Sequence, residues 1–314
     1  MKQKISICIP TYNREERLNK SLNMTSKAIR NRNNIDMYIS DNASTDSTYD
    51  IVCKYQEIGL PIHYSCNEKN LGFKANFIKV LDMPRESQYC WLMGDDDYVL
   101  EEGFSQLVSY LGENAEKEYD LIIVNGQCGS EPGLKHTCLI EDRDTVLANL
   151  GGQMSWMSSI IFSRKFLDEK HILEKMDACQ HAFPHIDAIF ASLEKKCKVL
   201  WFNEEVIRAI GGIPSYFDKV YEYFIRDWYL VIADKRELYS REAIDHYLDN
   251  TSINTRFILM SKLNGLDMRK NRNVFTKYAM KYPRHKTWLS AYYLAYIVPK
   301  CVLEDAKSIY HKVK

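Results

Sequence analysis

Ile7-Cys8-Ile9-Pro10-Thr11-Tyr12-Asn13-Arg14 reads as an apolar run stopped by a proline, then a short polar loop, then the start of a helical pattern. A continuous apolar run fits a strand buried on both faces, as in a parallel sheet, whereas a half-exposed strand alternates. Outward from this stretch the same unit recurs. Ile5–Pro10, Met37–Ser40, Ile62–Cys66, Tyr89–Met93 and Leu121–Val124 are apolar runs whose starts lie roughly 25–32 residues apart, the size of a strand-plus-helix unit. Helical candidates fill the gaps at about 14–30, 46–58, 71–83 and 101–112. The pattern predicts an α/β fold with a mostly parallel central sheet flanked by helices, and a ligand at the carboxyl ends of its strands.

Beyond residue 130 or so the regularity weakens. Glu131-Pro132-Gly133 and Gly151-Gly152 are turn signals, and Ser155–Phe162 is a further strand candidate. Glu169–Lys196 is mostly helical in pattern with an interruption at Pro184, and Lys198–Phe202 reads as another strand. Gly211-Gly212-Ile213-Pro214 marks a break, after which the chain reads as largely helical. These signals divide the chain into domains 1–210 and 211–314.

The composition of the 314 residues, 46% hydrophobic and 27% charged, is that of a globular protein with ample core. Lys+Arg 42 balances Asp+Glu 42, which argues against a nucleic-acid binder held by bulk charge. The balance hides an asymmetry: residues 251–314 hold 13 Lys/Arg and 3 Asp/Glu, a local net of +10 against −10 for the rest. The nine cysteines are scattered and never form a C-x-x-C pair, as expected of reduced thiols. The run Ile5–Pro10 is too short for a signal-peptide core, and no stretch approaches the roughly 18–20 apolar residues of a membrane span. The expected address is the cytoplasm.

Four motifs sit where this architecture places chemistry. In Pro10-Thr11-Tyr12, the tyrosine can stack on a base or sugar and the following helix start favours a phosphate; a plain strand–turn–helix junction reads the same way. In Ser40-Asp41-Asn42-Ala43-Ser44-Thr45-Asp46, the Asn/Ser/Thr/Asp cluster is a capping signal. Asp41, directly at a strand end, can in addition accept a hydrogen bond from an imide N–H such as uracil offers. In Trp91-Leu92-Met93-Gly94-Asp95-Asp96-Asp97-Tyr98, three adjacent carboxylates repel one another, a cost that a hard divalent cation bridging to a phosphate relieves. The alternative is a solvated acidic loop that caps the next helix. In Pro184-His185-Ile186-Asp187, one carboxylate can project into a cleft; the plainer reading makes Asp187 an N-cap and His185 a surface residue.

As an ordered set, these motifs resemble family 2 glycosyltransferases of the GT-A fold, especially bacterial enzymes of surface-polysaccharide synthesis. S-I-C-I-P-T-Y-N-R-E, S-D-N-A-S-T-D-S-T, N-E-K-N-L-G-F-K-A-N, W-L-M-G-D-D-D-Y and H-I-D-A-I-F carry the likeness, which covers roughly residues 3–210. The resemblance implies that residues 1–125 bind a nucleotide sugar, that 126–210 form the acceptor side, and that 211–314 are a basic helical extension. It implies a nucleotide site at Pro10, Thr11, Tyr12, Asp41 and Lys74, with Asp95 at the ribose. Asp96 would coordinate Mn²⁺ or Mg²⁺ with Asp97 in support, and Asp187 would be the catalytic base. Here Met93-Gly94 stands where the family form D-x-D-D has its leading acid, which leaves the register of the aspartates open.

The implied reaction is an inverting sugar transfer from a nucleotide diphosphate, UDP favoured, to a saccharide or lipid-linked saccharide in capsule, O-antigen or other surface polysaccharide. A sugar-nucleotide pyrophosphorylase or a dinucleotide oxidoreductase would need a glycine-rich loop after the first strand, and residues 1–20 contain no glycine. A nucleotide-sugar-binding protein without transferase activity is the non-enzymatic alternative. In the tail, residues 282–303 set Tyr282–Lys286 and the apolar, aromatic run Trp288–Val298 between basic flanks, which suggests a segment lying on anionic lipid, or else a helix packed on the protein.

Overall fold

The computed structural model describes residues 4–30, 32–126, 133–211, 217–251, 253–283 and 285–304. They form two units, Met1–Gln180 with Pro184–Gly212, and His181–Phe183 with Ile213–Lys314. The break read at Gly211-Gly212-Ile213-Pro214 falls mostly outside the described residues, as do Glu131 and Pro132.

The first unit begins with β1 (Ile5–Thr11), buried at every position as its continuous apolar run requires. α1 (Glu15–Ile29) buries Leu18, Leu22, Thr25 and Ile29, three or four residues apart, and its leucines join β1 in one core cluster. β2 (Ile35–Asp41), α2 (Thr48–Glu57), β3 (Ile62–Cys66), α3 (Phe73–Asp82) and β4 (Tyr89–Leu92) follow, with β3, β2, β1 and β4 adjacent and parallel. Parallel neighbours joined through helices put the ends of β1, β2 and β4 on one edge, which is where the acidic and hydroxyl motifs emerge.

Three further elements carry the chain away from that pattern: β5 (Asp97–Val99), α4 (Glu101–Glu113) and β6 (Leu121–Gly126). After them come β7 (Cys138–Asp142), α5 (Arg143–Met154), β8 (Ile160–Ser163), α6 (Arg164–Glu169), α7 (Ile172–Ala178), α8 (Pro184–Phe190) and β9 (Lys196–Ala209). The sheet order is β3-β2-β1-β4-β8-β6-β9-β5, with β7 also paired to β9. The β4–β8, β6–β8, β5–β9 and β7–β9 pairings are antiparallel, so the sheet is mixed, its parallel half lying at β3–β4. Gly103 lets α4 close on β9, because a Cβ there would sit 2.0 Å from the Glu205 carbonyl oxygen.

Three local readings change. Gly151 and Gly152 are not a turn; both are buried in the last turn of α5, which Asp142 caps by accepting the Thr145 N–H at 2.9 Å. Residues 155–159 are not strand. Ser155 and Ser159 turn their hydroxyls onto the Gly152, Gln153 and Trp156 carbonyls, and this local bonding competes with a ladder. The helical stretch 169–196, which starts where α6 ends, is two short helices, α7 and α8, with Pro184 opening α8, where its missing N–H costs nothing.

In the second unit a π-helical turn, Glu222–Asp227, leads into α9 (Trp228–Ala233), followed by α10 (Arg241–Asp249), α11 (Thr255–Leu263), α12 (Arg272–Tyr278) and α13 (His285–Ile297). Aromatic stacking builds its core: Trp228 on Tyr247 with ring centres 4.4 Å apart, and Phe275 on Tyr292 at 4.2 Å. α13 buries Trp288, Ala291, Tyr292 and Ala295 and leaves Tyr293, Leu294, Tyr296 and Ile297 exposed.

Candidate functional site

Thr11 and Asp41 are partners at the carboxyl ends of β1 and β2, and Met93, just past β4, donates its N–H to Cys8 of β1 at 2.9 Å. A buried amide network fixes these ends. The Asn76 side chain donates to Ser40 O at 2.8 Å and accepts from Ser40 Oγ at 2.7 Å and Asn67 Nδ2 at 3.0 Å. Buried amides this fully paired hold one arrangement, because breaking any bond strands a polar group in the core.

Two loops are latched to each other above the strand ends. Asn13, in the left-handed region at φ 48°, donates its N–H to Ser44 Oγ at 2.9 Å and accepts the Thr45 N–H at 2.7 Å. Asp46 accepts from the Glu15 N–H at 3.0 Å and the Thr48 N–H at 3.1 Å, while Glu15 accepts from Ser47 N–H at 2.6 Å. The starts of α1 and α2 thus cap one another. Tyr12 projects from this latch with 42% of its surface exposed, and Pro10 lies buried in β1 beneath it.

Asp41 is 2% exposed, with one carboxylate oxygen capping the Ser44 N–H at 2.9 Å and the other accepting from Tyr64 Oη at 2.6 Å. Burial, and then the Asp41 carboxylate, hold the Tyr64 phenol well above its ordinary value, so Tyr64 stays a donor. The capping reading of the cluster is realised at Asp46, which takes the Thr48 N–H at the start of α2, while Asp41 holds the loop before it.

The aspartate triplet is held by partners distant in sequence. Asp95, 3% exposed, accepts from Thr11 Oγ1 at 2.9 Å and from Arg14 Nη1 at 2.7 Å. Burial pushes its carboxyl up to about 6, with the Arg14 charge pulling the other way. Asp96 receives Arg14 Nη2 at 2.6 Å and Arg17 Nη1 at 3.0 Å on the same oxygen, Oδ2. Its side chain is 31% exposed, and among the described residues no donor reaches its Oδ1. Asp97 turns inward: Trp156 Nε1 donates to it at 2.8 Å, and Ser158 Oγ donates to the same oxygen. Burial pushes the Asp97 carboxyl up to about 7, opposed by the Ser158 and Trp156 hydrogen bonds.

Ser158 also accepts the Gly94 N–H at 2.8 Å, and its carbonyl accepts from Trp91 Nε1 at 2.8 Å, so this one residue positions the loop at both ends. The donor set fits a hard divalent cation. It consists only of carboxylate oxygens, and Asp96 alone of the three keeps an open oxygen at the surface.

Asp187 lies in the first turn of α8 and is the one residue of that helix that is not buried. His185 is not a surface residue. It is 5% exposed, its Nε2 lies 3.1 Å from the Met154 carbonyl oxygen, and its ring packs against Phe77. α8 and the aspartate loop thereby share one anchor, the segment 154–158. Lys74 is not brought to the aspartates; its amine lies on the Cys179 carbonyl at 3.0 Å and on the Asp177 carbonyl, closing the C-terminal end of α7.

Arg14, Arg17, Trp156 and Ser158 carry no role in the sequence reading. The arginines gave no clear signal: Arg17 lies in the first turn of α1 and Arg14 just before it, where Glu15 and Glu16 already supply the anions a helix start favours. Trp156 and Ser158 gave none, because a strand was expected there.

Solved structures that share this fold are glycosyltransferases of the GT-A class. S. aureus TarS 1–349 in complex with UDP-GlcNAc superimposes with a TM-score of 0.56 at 17% identity, covering 93% of this chain and 81% of that one. The mannosyltransferase PcManGT from Pyrobaculum calidifontis, in complex with GDP-Man and Mn²⁺, gives 0.56 at 12% identity over 99% and 81%. The chain belongs to glycosyl transferase family 2, whose profile matches residues 6–169, just over half of its length. Among curated proteins, the abequosyltransferase RfbV of Salmonella typhimurium is 31% identical over 180 residues, 52% of this chain and 54% of that protein. The chain spans about half the length, or less, of the curated relatives it matches. No helix among the described residues is long and apolar enough to cross a membrane.

Proposed function

We propose that the protein is an inverting glycosyltransferase that moves one sugar from a nucleotide-diphosphate donor, UDP-sugar favoured, to a saccharide or lipid-linked saccharide acceptor in surface-polysaccharide synthesis. The observation that carries this reading is the group at the ends of β1 and β4, where Thr11 and Arg14 converge on Asp95 and Asp96 beside the exposed Tyr12. In this reading residues 1–125 take the donor, 126–210 form the acceptor side, and 211–314 are an accessory extension. Tyr12 stacks on the base, and Asp41, already capped, uses a remaining lone pair toward an imide N–H. Pro10 and Thr11 form the wall, Asp95 meets the ribose, and Lys74 keeps α7 in place next to the pocket.

Asp96 is the residue proposed to hold Mn²⁺ or Mg²⁺, with Asp97 supporting it from beneath. Such an ion supplies a Lewis acid for the leaving diphosphate. Asp187 accepts the proton of the acceptor hydroxyl as its oxygen attacks the anomeric carbon, the nucleotide leaving from the opposite face. A base of this kind contributes about 10²–10⁴-fold in rate. The Mn²⁺ of the PcManGT complex and the UDP-GlcNAc of the TarS complex support the metal and the donor class.

The exposed Tyr293, Leu294, Tyr296 and Ile297 of α13, with the basic balance of 251–314, support a place on the anionic inner face of the cytoplasmic membrane. Calorimetry with UDP, GDP, dTDP and CMP, in Mn²⁺ and in EDTA, tests the donor site. Metal-dependent binding of one nucleotide, lost in Asp96→Asn, is the expected result, and no binding of any nucleotide sinks the reading. Asp187→Asn should abolish transfer while nucleotide binding stays nearly intact; substantial residual transfer would remove Asp187 as the base.

A further inference from the structure

Arg14 and Arg17 spend two cations on the carboxylate that the proposed metal would use. Arg14 spans Asp95 at 2.7 Å and Asp96 at 2.6 Å, and Arg17 adds a contact at 3.0 Å to the same Asp96 oxygen. Both guanidinium groups are about one-third exposed, so they are free to leave the carboxylate without unpacking a core. Their helix start is an anion-favouring position in its own right. Resting on the donor-site reading above, we propose that Arg14 and Arg17 are exchangeable counter-ions, which oppose free metal at Asp96 by their charge while its Oδ1 stays open, and which move to the donor's diphosphate when metal and nucleotide arrive together.

Charge balance is the argument. Three carboxylates against two guanidinium groups leave the loop near a single negative charge when all ionise. A divalent cation alone would make it net positive, with two arginines facing a metal at contact range, which is repulsive. A nucleotide-diphosphate sugar carries about two negative charges, so cation and donor together return the site to its starting balance. The guanidinium fork matches a pair of phosphate oxygens as well as it matches a carboxylate. Each partner given up is replaced: Asp96 exchanges arginine for metal, and the arginines exchange aspartate for phosphate. Metal and donor binding are then coupled through these two side chains, and coupling works equally in both directions. A metal-loaded site without donor, which would risk hydrolytic side chemistry or capture of stray anions, is kept scarce.

The test is binding of Mn²⁺ itself, read as loss of the free-ion signal in electron paramagnetic resonance, with and without UDP. Wild type is expected to bind Mn²⁺ weakly alone and at least about tenfold more tightly with UDP. Arg17→Gln and Arg14→Gln should bind Mn²⁺ alone about tenfold more tightly than wild type while UDP's enhancement shrinks, and Arg17→Lys should lie between. The Arg17 side chain has a single ion-pair partner among the described residues and is the variant that decides if Arg14→Gln does not fold. If Arg17→Gln binds Mn²⁺ alone no better than wild type, while Mn²⁺ with UDP still binds, the exchange idea is overturned and the donor site stands. If Mn²⁺ stays free in wild type even with UDP, the donor-site reading falls and this inference with it.

Discussion

The indole N–H of Trp156 donates to the Asp97 carboxylate over 2.8 Å, across 59 residues of sequence. Trp156 belongs to a segment that shows no strand or helix of its own until Met157, yet it fixes the last member of the aspartate triplet. A hydrogen bond to an ionised group is worth about 1.5–3 kcal/mol. Trp156→Phe keeps an aromatic ring, though a smaller one, and removes the donor, so Mn²⁺-dependent UDP binding should weaken by about tenfold, with Ser158→Ala worse because it also leaves the Gly94 N–H without its acceptor. Calorimetry on both variants checks this. Unchanged affinity would make the pair structural only.

Asp97 is 4% exposed, and its carboxyl is pushed up to about 7 by burial, so the folded protein binds its proton more readily than the unfolded chain does. The sign follows. The unfolded carboxyl ionises near pH 4 and the folded one only near 7, so the metal-free protein loses stability as pH rises through that window. Asp97→Asn removes the ionisation and keeps an acceptor oxygen for Ser158. Relative to wild type it should gain on the order of 3 kcal/mol at pH 8 and little at pH 4. Denaturant unfolding at the two pH values measures the difference; equal gains at both would contradict it.

Two glycines separate binding from folding. A Cβ on Gly94 would meet Asp97 Oδ2 at 2.9 Å and Asp96 Oδ1 at 3.1 Å, side-chain ends of the acidic loop itself and not backbone. Gly94→Ala should therefore unfold cooperatively near the wild-type midpoint yet lose most of its Mn²⁺-dependent UDP binding. A Cβ on Gly103 would instead meet backbone, the Glu205 carbonyl carbon at 2.8 Å and its oxygen at 2.0 Å. Gly103→Ala forces α4 off β9 and should cost about 1–3 kcal/mol or more. Thermal unfolding and UDP titration of both variants give opposite patterns if this is right.

The parallel half of the sheet was most legible at β1 and β4, which are buried at every position and written as nearly unbroken apolar runs, and less so at β3, which buries only Ile62. β5 was not legible. Its three residues begin inside the acidic motif, and they become a strand through pairing with β9, 110 residues away, and through Ser21 and Thr25 of α1, which bond Asp97 O at 2.6 Å and Val99 N at 3.2 Å. The directions of the later strands were not legible either, since no local pattern encodes which way a strand is entered. At the site, Thr11 and the aspartates could be named from residue type and position at strand ends. Their partners could not, because Arg14–Asp95 and Ser158–Asp97 are contacts across 81 and 61 residues that only the finished fold creates.

α13 is the part of the second unit whose surface is hardest to reconcile with water alone. Tyr293, Leu294, Tyr296 and Ile297 are exposed by 45%, 48%, 38% and 74%, on the side opposite the buried Trp288, Ala291, Tyr292 and Ala295. Burying a leucine or isoleucine fully is worth about 1.5–3 kcal/mol, and each basic residue near an anionic surface adds about 1 kcal/mol. Partial insertion of these four side chains, with Lys286 and Lys300 at the ends of the segment, is sufficient for reversible attachment and insufficient for a permanent one. The protein should co-sediment with vesicles of phosphatidylcholine and phosphatidylglycerol, and much less with phosphatidylcholine alone. Leu294→Glu and Ile297→Glu should each weaken that binding by about tenfold, since each loses roughly half a buried side chain and adds a repelled charge. UDP binding should be unaffected by either change. Equal sedimentation of wild type and both variants, or none with either vesicle, would leave α13 as a packing helix whose exposed face meets something other than lipid.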